Sequence, residues 1–447
     1  MNERTLGWSG ILRLGLVQTA LGAVVVLMTS TINRVMVVEL ALPAFVPGLL
    51  VAAHYGVQIL RPAWGYGSDA GGRRTPWIVG GMAVLALGGA GAAVATAWTA
   101  SDPWLGLALA ALSFVMVGMG VGAAGTSVLA MLATHVAPSR RAAAATTVWV
   151  MMILGFAVTA PLAGHFLDPY SPRRLVEVTA AVAAIAFVLA TIAVLGVEQR
   201  RAPAPAADAA APARRRFREA FAQVWAEPAA RRFTIFIFVS MLAYSAQELL
   251  VEPFAGLVFA MSPGETTKLA GVQHSGVLTG MIAVALAGSA IGGPVLGSLR
   301  LWTVFGCLAS ALSLIAIAAS GFAGPDFPLR AAVFALGASN GVFAVAAIGS
   351  MMGLAGSGAG SREGTRMGLW GAAQALAFGL GGFLGTIGVG FARLAIHDVA
   401  SAYAMAFVAE ALLFVVAARL ANRIARRPPE ASRSTVPTSK QPLAAGT

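Results

Sequence analysis

Charged residues are scarce in this chain, and their scarcity excludes an ordinary soluble globular protein. Asp, Glu, Lys and Arg make up 11% of the 447 residues, whereas soluble domains carry roughly a quarter. Apolar residues make up 58%, the mean hydropathy is +0.80, and runs of about 20 apolar residues recur along the chain. Only helices satisfy every backbone polar group from within one segment in lipid. The sequence therefore predicts an all-α polytopic membrane protein.

Chemistry-bearing residues are also few. The one cysteine, Cys307, lies inside an apolar run, which excludes a disulfide within the chain and argues against a cysteine-based metal site. No aspartate-rich prenyl-diphosphate site and no nucleophile–base pair can be identified. The first apolar segment is too long for a cleavable signal and indicates a spanning helix. We therefore predict a protein that is not an enzyme, with no metal site and no tightly bound cofactor.

Twelve apolar runs, separated by turn-forming breakers such as SDAGGRRTP and MSPGETT, predict twelve transmembrane helices. The predicted spans are 11–34, 43–64, 75–98, 104–132, 143–164, 175–197, 232–256, 275–298, 301–321, 330–355, 367–391 and 400–421.

The positive charges predict the orientation of these spans. The formal net charge is +12, which in a soluble protein would indicate nucleic acid. With the N-terminus inside, 24 of the 30 Lys and Arg residues fall on the cytoplasmic side, as the positive-inside rule requires. We therefore expect both termini to be cytoplasmic, with membrane lipid and not nucleic acid as the partner of this charge.

Two halves of the chain resemble each other. SRRAAAATTVW opens the fifth span, and SREGTRMGLW opens the eleventh. Two six-span halves joined by a basic loop is the layout of the major facilitator superfamily. The predicted divisions are an N-terminal half at 1–200, a basic cytoplasmic linker with an amphipathic segment at 201–231, a C-terminal half at 232–422, and a disordered cytoplasmic tail at 423–447.

The loop GYGSDAGGRR between the second and third spans resembles the loop motif of that superfamily. It supplies Gly65, Asp69, Gly72, Arg73 and Arg74. A tight glycine turn would place Asp69 near a neighbouring helix end and the two arginines at the inner surface. The motif indicates a gating loop that stabilises one arrangement of the two halves; the alternative is a solvated charged loop.

Ionisable side chains within membrane spans are costly and are therefore functional candidates. Glu248 and Glu252 lie four residues apart on one helix face, and two carboxylates there need a cation or protonation. We hypothesise that they meet Arg34 at the outer mouth of a cleft between the halves; the alternative is a salt bridge that only holds helices together. The predicted cleft residues are Arg34, Glu39, His54, Gln58, Gln247, Glu248 and Glu252.

His54 lies near the middle of the second span, with Gln58 one turn later. A neutral imidazole there could be an axial ligand to the magnesium of a tetrapyrrole. The alternative, a hydrogen-bonded core histidine, is favoured on chemistry alone. The remaining histidines, His135, His165, His274 and His397, are expected at the membrane edges. Glu410, in the twelfth span, is interpreted as a paired packing residue.

Three stretches together resemble one family: TSTINRVMVVELALPA (29–44), ILRPAWGYGSDAGGRRTPWIVGG (59–81) and AQELLVEPFAGLVFAMSPGETTKL (246–269). They are similar to the PucC/LhaA family of photosynthetic bacteria, the bacteriochlorophyll delivery branch of the major facilitator superfamily. Within it, LALPAFVPGLLVAAHYGVQILRP is most similar to the member labelled a bacteriochlorophyll synthase chain. The matching residues are Asn33, Arg34, Glu39, Arg61, Pro62, Asp69, Arg73, Arg74, Gln247, Glu248, Glu252 and Pro253; His54 is not among them.

The resemblance implies a role in light-harvesting complex assembly and photosynthesis, with bacteriochlorophyll or a precursor as cargo. Its implied partners are antenna polypeptides, pigment-synthesis enzymes and the translocation machinery, in the cytoplasmic or intracytoplasmic membrane of a photosynthetic bacterium. Two alternatives stay open. One is a facilitator-type exporter of a small amphiphile. The stretch 104–132 contains no charged residue, which argues against a proton-driven exporter. The other is a non-transporting scaffold that binds antenna helices through lipid-facing stripes such as Gly118/Gly122.

Overall fold

Twelve helices make up the part of the chain that the computed structural model describes, which is residues 6–61, 64, 73–137, 140–198, 225–287, 298–324, 326–357 and 363–424. Eleven of them are long and apolar enough to cross a membrane, and α2 is a shorter apolar helix. They are α1 Trp8–Glu39, α2 Phe45–Leu60, α3 Thr75–Thr99, α4 Pro103–His135, α5 Arg141–Leu167, α6 Pro172–Val194, α7 Pro228–Val258, α8 Pro263–Ala287, α9 Leu299–Ala323, α10 Leu329–Ser357, α11 Glu363–Ala395 and α12 Val399–Ile424. The predicted all-helical membrane fold is confirmed.

Several predicted breakers are helix starts. Proline occupies the first turn of α4 and α6, where its missing N–H costs no hydrogen bond. The residue before each proline caps the helix: Asp102 accepts from the Leu105 N–H, and Ser171 from the Arg174 N–H, each at 3.1 Å. The sequence signals that stop one span thus also fix where the next begins.

The prediction of the eighth span at 275–298 is wrong, because MSPGETT is the start of a helix and not a loop. In the structure α8 begins at Pro263. Ser262 and Glu265 form a capping box: the Ser262 N–H donates to Glu265 Oε2 at 2.8 Å, and the Glu265 N–H donates to Ser262 Oγ at 3.1 Å. His274 is therefore buried in the interior of a span, 8% exposed, and not at a membrane edge.

Helices α1–α6 and α7–α12 form the two halves. Each half has its own large apolar core, and the halves meet where α5 packs against α8, α2 against α11, and the end of α1 against α7 and α8. The end of α1 departs from α-helical geometry, with π-helical turns at Met28–Ile32 and Val35–Glu39. π-Turns are uncommon and occur often at functional sites, and here both lie at the contact with the other half.

Within the second half, α8 and α10 pack through two facing glycine pairs. A Cβ atom on Gly276 or Gly280 would lie 2.3 or 2.0 Å from a carbonyl oxygen of α10. A Cβ on Gly337 or Gly341 would lie 1.9 or 2.0 Å from a carbonyl oxygen of α8. Each helix thus packs a G-x-x-x-G pair against the backbone of the other. Such close packing stabilises helix association in membranes, where the hydrophobic effect does not drive it.

Gly118 and Gly122, predicted to face lipid, pack inside the first half. A Cβ on Gly118 would lie 2.3 Å from the His54 carbonyl oxygen, and a Cβ on Gly122 would lie 2.0 Å from the Trp64 indole. These glycines let α4 approach α2, so they offer no free stripe to an antenna helix.

Candidate functional site

Polar contacts tie the two halves together at the end of the bundle formed by residues 40–44, 168–171 and 259–262, here called the sealed end. The Thr31 and Thr267 hydroxyls hydrogen-bond at 2.9 Å between α1 and α8. Asn33 Nδ2 donates to the Leu249 carbonyl oxygen of α7 at 2.9 Å, and both bonds are buried. The end of α1 is therefore fixed to both neighbouring helices of the other half.

Arg34 is 2% exposed and forms an ion pair with Glu39. The two residues are five apart, a spacing that an α-helix places on different faces but that the π-turn Val35–Glu39 brings together. Arg34 Nη2 also donates to the Met261 carbonyl oxygen at 2.6 Å. Gly256 makes room for the guanidinium, because a Cβ there would lie 3.0 Å from Arg34 Nε.

Glu252 lies beside this network. It is 3% exposed, and its polar neighbours are Ser30, Arg34 and Thr266. Its Oε2 atom and the Nε atom of Arg34 are buried and make no hydrogen bond. A carboxylate oxygen and a guanidinium N–H of the same group therefore keep unused hydrogen-bonding capacity.

Arg34 lies beside Glu252, as hypothesised, whereas Glu248 does not join them. Arg34 pairs with Glu39, and the two glutamates of α7 belong to different groups. Four residues advance a helix by about 6 Å and about 40° past a full turn. That offset is enough to direct Glu252 toward α1 and Glu248 toward α2.

Glu248 belongs to a second group, the aromatic cluster of Tyr55, Arg61, Tyr244, Glu248 and Phe378. Glu248 is half-buried, and the Tyr244 hydroxyl one turn earlier is its polar neighbour. Phe378 of α11 lies between the tyrosines, with ring centroids 5.4 Å from Tyr55 and 5.7 Å from Tyr244. Both Glu248 and Arg61 lie close enough to interact electrostatically with Tyr55. The cluster joins α2 of one half to α7 and α11 of the other.

His54 faces the interior of the first half. Its ring packs among Val25, Met28, Thr29, Val51 and Phe114, which leave no room even for a water molecule, whereas small-molecule sites begin at ~300 Å³. Its Nε2 atom lies 3.0 Å from Gln58 Nε2, and the Gln58 Oε1 atom accepts from Arg61. With Nε2 engaged and no room for a macrocycle, the geometry favours the core histidine over the axial ligand.

Gln247 and Glu410 lie away from both groups. Phe254, two turns from Gln247 on the same face of α7, stacks on Tyr403 and Phe407 of α12 at 5.8 and 5.3 Å. That places Gln247 on the α12 side of α7, so it does not line a cleft with Glu252. Glu410 is buried in α12, and neither of its carboxylate oxygens has a hydrogen-bond partner, so the predicted pairing is not seen.

The predicted gating loop is described only in part, because Gly65, Asp69 and Gly72 lie outside the described residues. Arg74 Nη1 donates to the Ala130 carbonyl oxygen of α4 at 2.7 Å. The Glu198 carboxylate, beyond the end of α6, accepts from the backbone N–H groups of Arg74 and Thr75 at 2.5 and 2.7 Å. Glu198 thereby caps the N-terminus of α3, where a negative charge is favoured.

A second polar link at the sealed end was missed by sequence reasoning. Asp168, at the end of α5, accepts from Ser262 Oγ at 2.7 Å and from Lys268 Nζ at 2.8 Å. Burial acts to raise the pKa of Asp168, but the hydrogen bonds from Lys268 and Ser262 outweigh it and hold the pKa below its usual value. The S-x-x-E capping signal could have located Ser262, but nothing local predicts its contact with Asp168.

Replacing Asp168 with asparagine should loosen the sealed end, because the change removes the charge that holds Lys268. A carboxyl whose pKa is lowered by folding stabilises the folded protein at pH values above its unfolded pKa. That stabilisation is lost as the pH falls through the folded pKa. Acid should therefore loosen the wild type in the same way. The measurement is maleimide labelling of a cysteine at the buried Thr267, since the native Cys307 is 0% exposed. We expect several-fold faster labelling in D168N, and equal rates would contradict the link.

The sequence and the structure of this chain are both similar to those of known proteins. The sequence profile of the PUCC protein family matches residues 31–428. The chain is 56% identical over 420 residues to the "Bacteriochlorophyll synthase 44.5 kDa chain" of Rhodobacter capsulatus, covering 94% of this chain and 96% of that one. It is 30% identical over 442 residues to "Protein PucC" of Rhodobacter capsulatus, covering 94% and 93%.

Two solved structures with this architecture are transporters. The D-xylose–proton symporter superposes with a TM-score of 0.71 at 13% identity, covering 93% of this chain and 97% of that chain. A bacterial homolog of the human lysosomal transporter Spinster, in an inward-facing and unoccupied conformation, superposes with a TM-score of 0.66 at 15% identity, covering 93% and 96%. At these identities the likeness establishes the fold alone, the two six-helix halves of the major facilitator superfamily. The match over residues 31–428 establishes the family: the chain belongs to the PUCC protein family.

Proposed function

We propose that this protein binds bacteriochlorophyll or a precursor between its two halves and delivers it to antenna polypeptides or pigment-synthesis enzymes, without catalysing a reaction. Family membership and the names of its relatives support a role in photosynthetic pigment or antenna assembly. The fold supports a role as a carrier of this pigment, because solved transporters have the same fold. The word "synthase" in one relative's name is outweighed by a fold and a family that point to a non-enzyme.

The aromatic cluster is the observation that carries this proposal. Tyr55, Tyr244 and Phe378 place three aromatic rings at the contact between α2, α7 and α11, and aromatic rings stack favourably on other flat π-systems. Glu248 and Arg61 add one charge of each sign at its edge. A flat apolar macrocycle with a polar rim matches such a surface better than a sugar or an inorganic ion does.

The same proposal includes an orientation. The positive-inside bias favours an orientation with both termini in the cytoplasm, in which the sealed end would face the periplasm. Pigment made at the cytoplasmic side would then reach the aromatic cluster from the cytoplasm or the bilayer. The polar links of Arg34 and Asp168 would keep the far end closed while the cargo is bound.

Near-infrared absorption of the purified protein tests this function. Wild-type protein from a pigment-making host should carry bacteriochlorophyll, and Glu248→Gln should lose most of it. Glu252→Gln is the matched control, since it makes the same change one turn away in the other polar group and should keep the pigment. His54→Leu should also keep it, because His54 Nε2 is engaged by Gln58.

Two results would contradict this proposal. Equal pigment content in the wild type and Glu248→Gln would remove the aromatic cluster as the site. Pigment-free wild type that co-purifies with antenna polypeptides would favour the scaffold instead.

A further inference from the structure

A cavity of about 360 Å³ lies on the first half of the molecule, between α3 and α4. This volume falls within the ~300–1,000 Å³ of small-molecule sites. The cavity, here called the α3–α4 groove, is lined by residues that include Trp64, Trp77, Gly80, Val84, Met119 and Ala123. All its lining residues belong to the first half, so the groove is separate from the aromatic cluster between the halves.

The α3–α4 groove opens at the surface and has almost wholly apolar walls. Gly80 and Met119 are exposed, and a Cβ atom on Gly80 would meet nothing within 4 Å. A Cβ on the neighbouring Gly81 would lie 2.7 Å from the Ala124 backbone nitrogen of α4. Helix packing therefore requires glycine at position 81 but not at position 80, where the missing side chain only leaves the groove open. Such a groove on a membrane helix admits a hydrocarbon chain.

The groove lies toward the end of the bundle opposite the sealed end. Helix α2 leads away from the sealed end at residue 45, and α3 begins beyond its far end, at Thr75. Trp77 and Gly80 lie near the start of α3, so the groove reaches from this end into the span. Tryptophan is enriched where hydrocarbon meets the lipid head groups, and Trp64 and Trp77 mark that depth here. A chain in the groove would have its head group at the surface beside the start of α3.

This end of the first half carries an excess of positive charge. Among the described residues there, Glu198 is the one acidic residue, and the basic residues include Arg61, Arg73, Arg74, Arg140 and Arg141. Arg73 is exposed and lies three residues before Pro76 of the groove, at most about 11 Å along the chain. Basic residues beside a groove between membrane helices suit an anionic head group.

We propose that the α3–α4 groove binds an acyl chain of an anionic phospholipid, with the phosphate of its head group against Arg73. The apolar walls would hold the chain, and the guanidinium would donate hydrogen bonds to the phosphate oxygens. The lining that the structure describes offers neither an imidazole nor a carboxylate to ligate the magnesium of a tetrapyrrole, which favours a lipid over the pigment here. Because Trp64, α3 and α4 all line the groove, the lipid would stabilise their packing.

Thermal unfolding of the full-length protein, delipidated in detergent and free of pigment, tests this site independently of the proposed cargo. Phosphatidylglycerol should raise the melting temperature in a saturable way, and phosphatidylcholine with the same acyl chains should need a several-fold higher concentration. Glycerol phosphate, which has the charge without the chains, should have no effect. Gly80→Phe should abolish the shift, because the ring fills the groove. Gly388→Phe in α11 is the matched control, since a Cβ there also meets nothing within 4 Å, and it should keep the shift.

Arg73→Gln tests the head-group contact. It should weaken the apparent affinity for phosphatidylglycerol by about fivefold, the effect of one arginine near an anionic membrane surface, and bring the two lipids closer together. Arg330→Gln, which removes an exposed arginine at the start of α10, should leave both affinities unchanged. An equal response of the wild type to both lipids, or a preference for phosphatidylglycerol retained in Gly80→Phe and Arg73→Gln, would overturn the site. Loss of co-purified pigment in Gly80→Phe, with no lipid response in the wild type, would assign the groove to the pigment and would also overturn the proposal.

Discussion

Leucine at Gly280 is expected to prevent α8 and α10 from packing and to abolish the yield of monodisperse protein. The added side chain begins with a Cβ 2.0 Å from the Ala338 carbonyl oxygen, and a backbone atom cannot move aside as a flexible side chain can. The helices would have to separate along the whole contact that Gly276, Gly337 and Gly341 also form. Overpacking typically costs about 1–3 kcal/mol, and we expect the free energy of unfolding to fall by at least about 3 kcal/mol because backbone obstructs backbone.

The matched control for this change is Gly388→Leu in α11. A Cβ at Gly388 meets nothing within 4 Å, so leucine there should be tolerated, and it is the better helix former. Size-exclusion chromatography and a fluorescence melting curve distinguish the two variants. Equal stability of both would show that α8 and α10 do not pack as the structure has them.

Arg34→Met should produce the second large effect, a loss of about 3–5 kcal/mol in the free energy of unfolding, the range for breaking a buried ion pair from one side. The change leaves the Met261 carbonyl oxygen without its donor and Glu252 without its neighbouring cation. Glu39 contributes less to this loss, because 34% of its side chain is exposed and solvent screens the pair. Denaturant unfolding of the purified protein measures the effect.

Two comparisons make the Arg34 prediction specific. Arg173→Met breaks the ion pair between Arg173 and Glu177, whose side chains are 87% and 56% exposed, respectively. This change should leave the free energy of unfolding unchanged. In double-mutant cycles, Arg34→Met should couple to Glu39→Gln, whereas Arg34→Met and Glu248→Gln should be additive. Coupling of Arg34 to Glu248 instead would restore the single mouth that the sequence suggested.

The polar residues of the candidate sites were largely identified from the sequence, but their grouping was not. Arg34, Glu39, Glu248 and Glu252 stand out because ionisable groups in lipid are rare and costly. Their partners were misassigned because helical periodicity gives the face and depth of a residue on its own helix only. The aromatic rings of Tyr55, Tyr244 and Phe378 gave no signal at all, since uncharged side chains in apolar spans match no charge pattern or motif.

The sequence by itself determined the class of this protein, the succession of its apolar helices and its family. Those properties depend on hydropathy, turn residues and local motifs, which act residue by residue along the chain. The tertiary structure alone decided that Arg34 binds Glu39 through a π-turn, that Glu252 and Glu248 face different helices, and that α8 starts at Pro263 against Asp168. Such contacts depend on how helices distant in the sequence pack, and a change of one turn in register exchanges one partner for another.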